Sequence, residues 1–247
     1  MTQAPAEHRL LAALEATWPA AGYDAQAGWL LRSGAGGGKR VSAASPLGPA
    51  PDISAAETAL RAQGQRPLFR LCAEDAALDA RLEARGYARR DPTLILAAPV
   101  AALAQRPELV RLFPLWPPLA IMRDIWAEGG VGPERLAIMA RAHGAKAALL
   151  ARMSDRAAGV AFCACDGEIA MLHAMHVLPA HRGKGLGKMI LRGAADWAQQ
   201  EGARWLALVV TEDNSPARAL YSSCGLRPAA RYHYREETDH DRPADSP

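Results

Sequence analysis

The sequence is poor in the features that would make its chemistry obvious. Aromatic residues make up 6% of the chain, and only three are phenylalanine. There are four cysteines, Cys72, Cys163, Cys165 and Cys224, and no Cys-x-x-Cys pair. That spacing excludes the usual structural zinc modules and gives no disulfide framework. Reduced buried thiols are the reading, and with them a cytoplasmic protein. The formal net charge is only +3. Basic residues are scattered and are not interleaved with aromatics, so neither a nucleic-acid partner nor a single-strand groove is expected. No apolar run approaches the ~18 residues of a membrane span. His8, Arg9 and Glu15 interrupt what would have to be the apolar core of a signal peptide. No membrane partner is expected.

What is present is half apolar residues, abundant alanine and enough length for one large domain or two modest ones. Residues 8–18 have helical apolar spacing. Trp29-Leu30-Leu31 reads as a strand, Gly34–Gly38 as its turn and Lys39-Arg40-Val41 as the start of a return strand. The turn GAGGGKR is not a nucleoside-triphosphate loop. That pattern needs glycine where Ser33 stands, and Ser or Thr where Arg40 stands. Helices over 53–63 and 76–85 and strands over 67–71 and 93–100 complete the first hundred residues. The proline-rich stretch 101–118, with Pro107, Pro114, Pro117 and Pro118, reads as an irregular linker. Helices follow over 119–128 and 133–142, then three strands over 146–153, 158–165 and 169–178, with Asp166-Gly167 as a hairpin turn. Cys163 and Cys165 share one face of their strand, but no further ligand for a metal lies near them, and none is expected.

The most informative stretch is IAMLHAMHVLPAHRGKGLGKMILRGAADWAQQEG, residues 169–202. A buried strand runs into Pro179 and a glycine-rich basic turn. A helix follows, with apolar or small residues at 186, 189, 190, 193, 194, 197 and 198. A strand that passes through glycines into a helix N-terminus gathers backbone N–H groups and the positive end of the helix dipole, which suits a phosphate. Gly183, Gly185 and Gly187 do not match the dinucleotide fingerprint, because Lys188 stands at its third glycine. Met189 stands where a triphosphate loop needs Ser or Thr. Downstream come a buried strand (205–210), a short helix opened by Asn214-Ser215-Pro216 and ended by Gly225, and a last strand over 227–235. The residues from 237 on read as a disordered tail.

Arg182-x-x-Gly185-x-Gly187 resembles the acetyl-CoA-binding motif of the GNAT N-acetyltransferase superfamily, Arg/Gln-x-x-Gly-x-Gly/Ala. The run from Asn214 through Ala217 and Tyr221 to Gly225-Leu226 is similar to that family's second motif, with Leu226 in place of the common Phe. The last strand, with Tyr232-His233-Tyr234-Arg235, also resembles members of the family. The resemblance covers roughly residues 119–236. It is weaker over 8–98, which looks like the degenerate N-terminal half of two-domain members and lacks both motifs.

The resemblance implies an α/β fold with a mixed sheet, the GNAT acyl-CoA N-acyltransferase fold. A degenerate GNAT-like domain (1–100) and a linker (101–118) would precede a catalytic domain (119–236). It implies an acetyl-CoA-dependent N-acetyltransferase that works by direct attack in a ternary complex, with no metal and with a small-molecule or peptide amine as acceptor. The N-terminal half would shape the acceptor cleft or a homodimer interface. The alternative is a non-catalytic acyl-CoA-binding sensory or scaffold module. The amides of Gly183, Lys184, Gly185, Leu186, Gly187 and Lys188 would hold the donor's pyrophosphate. Val177 and Leu178 would offer backbone groups to the pantetheine arm, and Asn214 a hydrogen bond to it or a helix cap. Tyr221 would be the general acid. The base is left open among His173, His176 and Glu168. Strand parity alone puts the two histidines on opposite faces, but in the family this strand is usually bulged near the cofactor.

Overall fold

A computed structural model describes residues 4–106 and 111–238. In chain order the elements are α1 (Glu7–Thr17), β1 (Gly22–Gln26), β2 (Trp29–Ser33), α2 (Lys39–Ser42), β3 (Ser45–Pro46), α3 (Ile53–Ala62), β4 (Leu68–Cys72), α4 (Ala76–Ala84), β5 (Tyr87–Pro99) and α5 (Val100–Leu103). They continue with β6 (Leu112–Leu115), α6 (Ala120–Glu128), α7 (Pro133–Arg141), β7 (Lys146–Met153), β8 (Arg156–Asp166), β9 (Ile169–Val177), α8 (Leu186–Gln200), β10 (Trp205–Thr211), α9 (Ser215–Ser223) and β11 (Arg227–Glu237).

Two compact units emerge, and each is discontinuous in sequence. Unit 1 joins the residues up to Pro19 to Leu94–Ala230. Unit 2 joins Ala20–Thr93 to the residues from Arg231 on. The division therefore falls inside β5 and inside β11, whereas the sequence suggests one break at 101–118. That stretch is not a plain linker. It contains α5 and β6, and β6 pairs antiparallel with β7 from Leu112↔Ala151 to Leu115↔Ala148. Pro114 is tolerated there because β6 is the outermost strand of the unit. Pro107 lies outside the described residues.

In unit 1 the strand order is β5-β10-β9-β8-β7-β6. β7, β8 and β9 form an antiparallel meander, and β10 joins β9 in parallel across α8. One face of this sheet carries Leu149, Ala161, Leu172 and Leu206 against Ile190, Leu191 and Ala194 of α8. α1 and α6 pack on β8 and β9. Phe162 lies in ring contact there with Trp18, just past α1, and with Trp116. α8 is amphipathic at the expected positions, and α9 starts where Asn214 caps the Ala217 amide.

Unit 2 has its own core of Trp29, Leu31, Ile53, Leu60, Phe69, Leu71, Leu82 and Tyr87. β4 pairs with β11 from Tyr232↔Cys72 to Glu236↔Leu68. Asp79 of α4 accepts from Arg235 Nε at 2.6 Å and pairs with His233 Nε2 at 2.8 Å, tying that helix to β11. Lys39-Arg40-Val41 is helical rather than a return strand, and only Val41 of the three is buried. A helical turn buries one residue of the three, where a core-facing strand would alternate. β1 carries no apolar alternation and is mostly exposed, so periodicity could not reveal it. β11 runs on to Glu237, two residues past the expected end of that strand and into the first residue of the expected tail. The tail from 239 on lies outside the described residues.

Candidate active site

β9 leaves its partner. Its parallel pairing with β10 runs from Ile169↔Trp205 to Leu172↔Leu208 and stops there. β9 nevertheless continues to Val177 and β10 to Thr211. Two parallel strands that part before they end leave backbone groups without a ladder partner, lining a slot.

A bulge accompanies the parting. Against β8, Phe162 pairs with His173 and Val160 pairs with His176. Two residues of β8 therefore span three of β9, and Ala174 takes up the excess at φ 47°. The consequence for side chains is direct. Val160 and Phe162 share a face, so their partners His176 and His173 share it too, although parity alone would separate them.

The two rings have different surroundings. His173 is 2% exposed. Its Nε2 lies 2.9 Å from Thr17 Oγ1, which itself donates to Ala13 O at 2.6 Å. Its ring lies against Trp18 and Phe162, with centroids at 4.9 and 6.2 Å. His176 is only half-buried. Its Nε2 is closed to solvent and has no hydrogen-bond partner among the described residues. Burial lowers its pKa below the ordinary 6.5, the Arg182 charge lowers it further, and Glu128 partly offsets both. Glu168, the third candidate base, is paired with Arg204 at 3.3 Å and precedes β9. At the strand rise it lies on the order of 25 Å from the turn, too far to act there.

At the turn, Arg182 Nε donates to Val177 O at 3.0 Å, and Lys184 Nζ donates to Ala180 O at 3.0 Å. Leu178 is fully engaged: its amide donates to Ala158 O, and its carbonyl accepts from His181. Antiparallel alternation then turns the Val177 amide away from β8, toward the slot. Of the two backbone positions expected to serve the pantetheine, only Val177 turns its amide toward the slot. Gly185, at φ 81°, caps α8. The amides of Leu186, Gly187 and Lys188 precede the first that finds a helical acceptor, that of Met189. β-carbons placed on Gly183 and Gly185 would meet nothing within 4 Å, so the turn is open to a ligand. Beside it, Gly185, Lys188, Met189 and Arg192 line a cleft of ≈ 230 Å³ with Gln105, Arg106 and Arg111. The free amides, open glycines and basic cleft fit the phosphates of a coenzyme A, and the slot fits its extended arm.

α9 supplies the rest. Leu220 approaches Gly187 so closely that a β-carbon there would lie 3.0 Å from its Cδ2. The next residue, Tyr221, is 9% exposed and shares a cluster with Leu186 and Leu208. Burial pushes its phenol up to about 12, and no hydrogen bond reaches its hydroxyl among the described residues. Asn214 uses Oδ1 to cap the helix, and its amide N–H groups have no partner among the described residues.

Residues 117–226 match the Acetyltransferase (GNAT) family. This part of the chain is a GNAT domain. A stretch of 71 residues is 41% identical to the streptothricin acetyltransferase of Streptomyces lavendulae, covering 27% of this chain and 38% of that protein. The chain thus spans well under half the length of this curated relative. In fold, the whole chain resembles a GCN5-related N-acetyltransferase from Kribbella flavida, at TM-score 0.69 and 19% identity over 96% of this chain and 98% of that one. It also resembles a tandem GNAT protein from the clavulanic acid biosynthesis pathway, at TM-score 0.56 and 16% identity over 86% and 79%. At such identities the likeness is one of fold. Sequence reasoning missed the surroundings of the GNAT domain's histidines. Thr17 lies far away in the chain, and the helix expected over 119–128 stops short of Gly129.

Proposed function

We propose that the chain is an acetyl-CoA-dependent N-acetyltransferase that transfers the acetyl group directly to a primary amine, and that unit 1 carries the chemistry. The observation behind this reading is the slot where β9 and β10 part, with the free first-turn amides of α8 at its end. A thioester in that slot meets the Val177 amide, which would stabilise the oxyanion that develops during attack.

An alkylamine of pKa about 10.4 is neutral in only about one part in 2,500 at pH 7, a handicap near 4.6 kcal/mol. His176 is the favoured base. Its depressed pKa keeps it neutral at pH 7, and its buried Nε2 is uncommitted. It would take the proton as the nitrogen bonds to carbon and loses basicity. The Thr17 bond and ring packing of His173 favour a structural role for that residue. Tyr221 would donate its O–H to the departing sulfur. The likeness to a streptothricin acetyltransferase supports a small-molecule acceptor over a peptide.

The test is thiol release from acetyl-CoA across an amine panel. Release that depends on an amine supports the reading. Donor binding with no release by any acceptor would instead indicate a sensory or scaffold module.

A further inference from the structure

His176 is enclosed by glycines whose own backbones do not require them. Gly129, the C-cap of α6, sits at φ −83° and ψ 9°, a conformation open to any residue. A β-carbon there would nonetheless lie 2.5 Å from Nδ1, 2.7 Å from Cγ and 3.0 Å from Cε1 of His176. The imidazole edge fills the space a side chain would take. The neighbouring Gly130 differs: its φ of 73° calls for glycine, and a β-carbon there would meet nothing within 4 Å. On the other side, a β-carbon on Gly159 would lie 3.0 Å from the His176 carbonyl oxygen. The same helix also holds the bulge. Trp126, fully buried in α6, donates its indole N–H to the carbonyl of Ala174 at 2.8 Å. Ala174 is the residue at positive φ whose insertion turns His176 onto the face it shares with His173.

We propose that the C-terminal half of α6 is a positioning device for His176: Trp126 pins the bulge, and Gly129 leaves the recess in which the imidazole rests. Its value for turnover rests on the reading of His176 as the base. Both are positioning residues, since they act through His176. The charged groups acting on the ring are Glu128, on α6, and Arg182, on the turn.

The test compares G129A, G130A, W126F, H176Q and the double variant G129A/H176Q. It measures melting temperature, kcat, donor KM and the pH titration of the His176 imidazole by long-range ¹H–¹⁵N NMR. Displacing the ring from its recess should lower kcat at least tenfold in G129A and leave donor KM within about twofold. It should also move the imidazole midpoint up, toward the ordinary value. W126F keeps an aromatic ring but loses the indole N–H and part of its bulk, and should move the same quantities in the same direction. G130A should lower melting temperature without moving the titration. The double variant should be no slower than H176Q alone, because the recess matters only through the ring. A wild-type titration in folded G129A and W126F overturns the proposal, and so does a double variant slowed by the full product of the two single effects. If H176Q itself turns over at the wild-type rate, the assignment of the base fails. The titration in G129A still decides whether the recess positions the ring.

Discussion

Replacing Tyr221 by phenylalanine removes one oxygen from a buried ring and tests how the leaving group departs. The phenol is held up to about 12 by burial. An alkyl thiol such as cysteine ionises near 8.5, so full proton transfer from this phenol to a free thiolate would be uphill by about 5 kcal/mol. In the proposed reaction Tyr221 therefore serves best as a hydrogen-bond donor that strengthens as charge collects on sulfur. A hydrogen bond to a charged group is worth about 1.5–3 kcal/mol, which sets the expected loss in kcat at roughly 10- to 150-fold. Donor KM should stay within a factor of about two, since the bond matters only as the C–S bond breaks. Stability should hardly change. The hydroxyl has no partner among the described residues, and the ring keeps its packing against Leu186 and Leu208. The assay is thiol release under saturating amine, with a thermal melt alongside. Because the phenol keeps its proton to about 12, wild-type kcat should show no alkaline loss from this group below pH 10. A folded variant with kcat within threefold of wild type would refute the assignment.

The acid limb of kcat/KM should have its midpoint below 6.5, since only the neutral imidazole of His176 accepts a proton, and H176Q should abolish that limb in a pH–rate profile. Stability carries the same sign. The unfolded chain takes up this proton first as pH falls through 6.5, so the wild type should lose melting temperature on acidification more steeply than H176Q. Thr17→Val leaves the buried His173 Nε2 without the hydroxyl, at a cost of about 1–3 kcal/mol in denaturant unfolding. If His173 is structural, kcat of the folded variant stays near wild type. Lys188→Gln with Arg192→Gln removes two charges from the cleft beside α8 and should raise donor KM several-fold, with a weaker salt dependence, while kcat holds.

Local patterns were legible and distant relations were not. The α8 series, the Asn214 cap and the glycine turn each specify their element within a few residues, and the structure puts those elements where the spacing indicates. The turn could likewise be anticipated from residues 169–188, because the glycines, the strand and the helix start are contiguous, whereas the slot needs β10, which comes later in the chain. The identity of the favoured histidine was not legible. It depends on one inserted residue at Ala174, and no local signal marks an alanine at positive φ. β6 was hidden by Pro114 and the prolines around it, which read as a linker although an outermost strand tolerates Pro114. β1 was hidden by its exposure. The burial of His173 depends on Thr17 and Trp18, which stand more than 150 residues earlier in the chain.

That last relation bears on where the GNAT domain ends. The family match begins at residue 117, yet the sheet face opposite α8 is finished by α1, which enters the chain at Glu7. Leu10 and Leu14 of that helix are buried, and Thr17 and Trp18 supply the hydroxyl and the ring that cover His173. Without them, Phe162 of β8 and His173 of β9 would lose the cover of α1, beside a bulge that must stay fixed for His176 to keep its place. The unit that holds the site is therefore larger than its motifs and not contiguous in sequence. The motifs mark where the groups proposed to bind phosphate must be contiguous. The packing that fixes the histidines needs only proximity, which a helix more than a hundred residues upstream provides as well as a neighbouring one.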